Sequence, residues 1–144
     1  MATMSVNGFE GVNVSFNALL QGGKALATDM LTAEAEIVQA KQKSVGRQMG
    51  VYDSSSSVHT VEKVTHGNVV KKDDEYRMFV YPQGSRTRGN TTTRNAEIAF
   101  INEYGKTGQA ARPWITTANA QAEEKALDAA EDVYDKFLKE NNLT

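Results

Sequence analysis

The chain has 144 residues, 40% of them apolar and 24% charged, with a formal net charge of −2. That length suits one domain around one core, and the balance excludes disorder throughout. With no cysteine present, a disulfide framework, thiolate catalysis and Cys-based zinc or iron–sulfur sites are excluded as well.

The first residues, "MATMSVNGFEGVNV", show neither a basic n-region nor an apolar h-region, and no apolar run approaches the ~20 residues that cross a bilayer. The expectation is a soluble intracellular protein with no membrane partner. Val6 to Val14 mixes β-branched and aromatic residues with two glycines, Gly8 and Gly11, and reads as a short strand or as an extended arm over residues 1–14. From Phe16 the apolar positions Phe16, Leu19, Leu20, Leu26, Ala27, Met30, Ala33, Ile37 and Ala40 keep helical spacing. They predict a long amphipathic helix ending near Ser44. Gly22-Gly23 lies inside it at about 1 kcal/mol per glycine relative to alanine, which points to a bend or close packing there.

Gly46 to Ser57 reads as a loop that includes the serine run Ser54–Ser57. Alternation from Val58 to Lys63 and the run "YRMFVYP" predict two or three antiparallel strands, with turns at His66–Asn68 and Lys71–Glu75. Ser85 to Arg94, "SRTRGNTTTR", has no apolar anchor and is expected as an exposed loop. Ala96, Ile98, Ala99, Phe100, Ile101 and Tyr104 predict a short helix stopped by Gly105, and Gly105 to Pro113 a connector. The last helix is expected to be N-capped by Thr116 or Thr117. Its apolar positions are Ala122, Ala126, Leu127, Ala130, Val133, Tyr134, Phe137 and Leu138, and Lys136 and Lys139 suit its C-terminal dipole. The fold class is therefore α+β in a single domain, 1–144: a long N-terminal helix, a small antiparallel sheet, a short helix and a long C-terminal helix packed on the sheet.

Few residues carry chemistry. Gly105-Lys106-Thr107 has Phe100 where a phosphate loop needs its upstream glycine. Glu97 and Glu103 stand about 240° apart on a helix and do not converge as a catalytic pair, so both read as surface carboxylates or ion-pair partners. His59 and His66 fall on opposite faces of any one strand, without metal-ligand spacing. No catalytic residue, cofactor or metal is expected, and the chain is not read as an enzyme.

Charge is unevenly placed. Arg77, Arg86, Arg88, Arg94, Lys106 and Arg112 face only Glu97 and Glu103 over the middle of the chain. From Thr116 onward, seven acids (Glu123, Glu124, Asp128, Glu131, Asp132, Asp135, Glu140) oppose Lys125, Lys136 and Lys139. Such surfaces pair between copies, or the basic stretch faces nucleic acid, or both are merely solvated. Arg86, Arg88 and Arg94 with neighbouring hydroxyls suit phosphate contact, and a solvated loop fits equally. Trp114 beside Arg112-Pro113 is either core packing or an interface anchor.

"NAEIAFINEYG", then "ARPW", a "TTAN" step and an acidic terminal helix resemble the neck or tail-completion proteins of long-tailed double-stranded DNA phages, a functional group in which the lambda tail protein Z is also placed. The match is specific over Ala96–Gly105 and Ala111–Asn119, carried by Glu103, Tyr104, Gly105, Arg112, Pro113 and Trp114. Family members often have phenylalanine at the last of these. The resemblance implies a structural virion protein at the neck or top of the tail, made in the host cytoplasm and assembled as a homo-oligomeric, expected hexameric, ring. It would contact other neck, tail-terminator or head-completion proteins, with DNA or tape-measure protein in its lumen. Glu103, Tyr104, Arg112, Pro113 and Trp114 would then lie at a subunit or partner interface, and Arg86, Arg88 and Arg94 on a loop near the lumen. The alternative is a small nucleic-acid-binding protein acting through that basic loop; an enzyme using Glu97 or Glu103 ranks last.

Overall fold

A computed structural model describes residues 10–51 and 59–143. The fold is α+β, built on two long helices, α1 (Glu10–Gln48) and α3 (Trp114–Glu140). They run antiparallel: Gln42 Nε2 donates to Asn119 Oδ1 at 3.0 Å near one end, and Gly22 meets the Phe137 ring near the other. Residues 10–14, expected in an arm or strand, are already helical; residues 1–9 and the serine run lie outside the described residues.

The side of α3 that is buried is a ladder of small residues, Ala118, Ala122, Ala126 and Ala130, one every fourth position. Alanine at each contact lets the helix axes approach closely. The cost of that choice is visible elsewhere: Leu127 and Tyr134, expected on the inner stripe, are turned out to solvent. Close packing at Gly22 is as expected from the glycine pair, since a Cβ there would stand 3.2 Å from Phe137 Cε2. Ala40, expected inward, is exposed.

α1 continues four residues past Ser44 and ends in a Schellman turn. The Gly50 and Val51 N–H groups donate to the Arg47 and Gly46 carbonyls at 3.1 and 2.9 Å, with Gly50 at φ 70°. After the undescribed segment, Thr60–Lys63 forms a single 3-10 turn, where alternation had suggested a strand. Arg47 grips this turn through a two-pronged pair with Glu62, Nε and Nη2 each donating at 2.8 Å.

β1 (Val64–His66) pairs antiparallel with β4 (Val80–Pro82), and β2 (Val70–Lys72) with β3 (Glu75–Arg77) farther out. Gly67 N–H donating to Phe79 O at 2.9 Å links the two ladders, so His66–Asn68 is a break within a long hairpin and not a turn. The tip is Asp73-Asp74, both at positive φ (52° and 62°), as a two-residue hairpin turn requires. The stretch expected as a loop, 85–94, is a second hairpin of β5 (Ser85–Arg88) and β6 (Thr91–Arg94), turning at Gly89-Asn90. β6 runs directly into α2 (Asn95–Tyr104).

The core lies where these elements meet. Val45, Val51, Val61, Val64, Ala99 and Ala118 enclose Trp114, which is 0% exposed. Gly46 makes this possible, because a Cβ there would stand 2.7 Å from Val61 Cγ2 and 2.8 Å from Trp114 Cε3. Gly46→Ala is accordingly expected to lower stability by about 2 kcal/mol through overpacking, read as a fall in the urea midpoint at constant m. An unchanged midpoint would show that the ring moves aside without strain.

Candidate functional site

Glu103, Tyr104, Gly105, Arg112, Pro113 and Trp114 form a joint between α2 and α3. Pro113 (φ −74°, ψ 65°) is the centre of an inverse γ-turn closed by Trp114 N–H donating to Arg112 O at 2.7 Å. The helix that follows has no side-chain cap from its own preceding residue. Glu103, in the last turn of α2, supplies one. Its Oε2 accepts from Ile115 N–H at 2.8 Å, and its Oε1 accepts from Thr116 N–H at 3.0 Å and from the Thr116 hydroxyl. The carboxylate thus sits on orphan donors at the positive end of the helix dipole. This replaces the expected Thr116 or Thr117 cap; Thr117 Oγ1 donates instead to Pro113 O at 2.6 Å.

Arg112 completes the joint. Its N–H donates to Asn102 O at 2.6 Å, and its Nη1 donates to Gly50 O at 2.8 Å, tying the ends of α2 and α1 together. Gly105 is obligatory between them: φ is 78°, and a Cβ would stand 2.8 Å from Gln109 O and 2.9 Å from Ala111 N.

Of the five residues expected at an interface, Trp114 is enclosed by the chain's own core and Glu103 is 6% exposed, with both oxygens engaged inside the chain. The expectation that Glu103 is a surface carboxylate is thereby corrected; Glu97 does pair at the surface, with Arg94 at 3.0 Å. Arg112 and Pro113 are exposed at the joint. Tyr104 presents the large free surface, 66% exposed and tilted against Phe100, itself 63% exposed, with ring centroids 4.7 Å apart. Arg94 and Lys106 bracket this pair in sequence. A second apolar strip, Leu127 and Tyr134 on α3, is exposed among Glu123, Glu124 and Glu131, which helical geometry puts on the same side.

The three arginines expected together are separated by strand alternation. Arg86 and Arg88 share one face of the second hairpin and line a cleft of about 490 Å³, whereas Arg94 lies beside Phe100 on the other. The cleft gains Lys106 and Arg112 from the connector, together with Thr60, Asn102 and Gln109, over an apolar floor of Val51, Ile98 and Ile101. No acid lines it among the described residues. The basic middle of the sequence already includes Lys106 and Arg112, but that they share a cleft with Arg86 and Arg88 depends on the turn at Gly105, which brings the connector back across α2. His59 stands just ahead of the 3-10 turn and His66 ends β1, and no group of three metal-ligating side chains occurs among the described residues. No helix there is long and apolar enough to cross a membrane. Comparison with protein-family models, curated proteins and solved structures finds no match.

Proposed function

We propose that the chain is a structural subunit of a ring at the head–tail neck, or the top of the tail, of a long-tailed phage particle, where it joins or completes the tail for attachment to the head. The family resemblance of the α2–α3 joint supports this reading. The observation that carries it is the pair of unlike exposed faces: the Phe100–Tyr104 aromatic pair, with the Arg94–Glu97 ion pair beside it, and the acid-flanked Leu127–Tyr134 strip. A ring needs two different patches that meet around the circle, and an aromatic pair on α2 and an acid-flanked apolar strip on α3 are two such patches. The ring is proposed to be hexameric, with neighbouring neck, terminator or head-completion proteins above and below and DNA or tape-measure protein passing through it.

The absence of cysteine from the sequence makes the test direct. A Tyr104→Cys/Tyr134→Cys double variant, oxidised at high protein concentration, is expected to give a ladder of disulfide-linked dimers, trimers and higher species, while each single variant stays monomeric. Dimers from Tyr104→Cys alone would show a like-to-like contact and overturn the ring geometry. In the parent phage, loss of the gene should leave filled heads and unattached tails. A second reading, a small nucleic-acid-binding protein, is favoured by the basic cleft and predicts DNA binding that weakens steeply with salt and needs no oligomer.

A further inference from the structure

We infer that the cleft between the second hairpin, α2 and the 105–113 connector is an oxyanion site that takes a phosphate group, independently of whether the chain forms a ring. Its charge comes first from Lys106 and Arg112, neither of which forms an ion pair with a described residue. Arg86 and Arg88 line it too; each is also engaged with another group of the chain, and the inference does not depend on them. Arg112 is held in place, because Nη1 is fixed on Gly50 O at 2.8 Å while the other donors of its guanidinium fork remain.

A second, independent observation points to a ligand. Thr60 lines the cleft, is 3% exposed, and its Oγ1 has no hydrogen-bond partner. Buried hydroxyls are nearly always satisfied, so an orphan one on a cationic cleft marks a place where an acceptor belongs. The Gln109 amide adds a further neutral donor; its contact to Asn102 Oδ1 is long, at 3.4 Å. A lysine, an arginine, a hydroxyl and an amide on one cavity match the several oxygens of a phosphate better than the two of a carboxylate. The apolar floor strengthens each of these attractions by lowering the local dielectric. The phosphate is that of a nucleic-acid backbone or of a free phosphate or nucleotide.

The test uses the full chain with three probes: inorganic phosphate, a short DNA duplex, and polyglutamate as a carboxylate polyanion. Amide and side-chain NMR signals of Thr60, Lys106 and Gln109 are expected to shift with phosphate, with duplex, or with both. Shifts with both identify a backbone site; shifts with phosphate alone identify a small-ligand site. Lys106→Gln, at an exposed position, should melt like the parent without ligand and bind about tenfold more weakly, and for duplex the slope of log K against log salt should fall by about one. Thr60→Val should move two readouts in opposite directions, with the free chain melting higher and phosphate binding becoming weaker. Equal binding by Lys106→Gln, absence of any shift at these residues, or polyglutamate binding as tightly as duplex would overturn the inference.

Discussion

Trp114→Ala is expected to destabilise the fold by about 3–5 kcal/mol, the range for removing a buried aromatic ring without collapse of its surroundings. The ring is wholly enclosed, and its neighbours come from α1, the 3-10 turn, β1, α2 and α3 itself. No single element can shift to fill the void without leaving the others. Its removal also relieves the ring's share of the crowding at Gly46, leaving Val61 Cγ2 at 2.7 Å, which gives a sharper check than the single change. In the Trp114→Ala background Gly46→Ala should cost less, with only Val61 left to be displaced, so a double-mutant cycle should show the two positions coupled by part of the penalty at Gly46. Circular dichroism in urea reads all four variants, since the chain's tryptophan fluorescence is lost with the ring. Additive effects would mean that the glycine is required for some reason other than the ring.

Glu103→Ala should cost about 3 kcal/mol, because it strips an acceptor from two N–H groups at the start of α3 and removes a carboxylate from the positive end of the helix. Glu103→Gln keeps one acceptor oxygen and loses the charge, so about half that loss is expected. Hydrogen exchange localises the effect: Ile115 and Thr116 amides should lose protection in both variants well before those in the middle of α3. A Glu103→Ala protein within about 0.5 kcal/mol of the parent, the range of an ordinary surface substitution, would mean that water caps the helix as well as the carboxylate does.

These two residues show what the sequence could and could not disclose. Helical periodicity located α1 and α3, and Gly105 marked the end of α2, because those signals are local. The cap was not legible. Glu103 reaches donors twelve and thirteen residues away through a turn whose shape Gly105 and Pro113 set together. A threonine next to the helix looked like the nearer candidate.

The second hairpin was overlooked for a different reason. Ser85 to Arg94 sets arginines and threonines on both sides of Gly-Asn, a proper two-residue turn signal, but without an apolar face the segment does not read as strand. Helical spacing of apolar residues puts Leu127 and Tyr134 on the inner stripe. The helix pairing selected the alanine ladder instead, on size, and left the larger side chains outside as a surface.

The pairing of α1 with α3 also fixes when the fold can close. α1 is synthesised early and its partner last among the described elements, with both hairpins and α2 between Gln48 and Trp114. Contacts of that sequence separation form slowly, since the intervening chain must be brought round before they contribute. On the ribosome, α1 must wait with its apolar side uncovered until α3 emerges, whereas each hairpin can form as soon as it is made. The long helical pair therefore closes only after both hairpins and α2 have been made, and ribosome-stalled chains ending before Trp114 should be held by chaperones and readily cut by protease within α1.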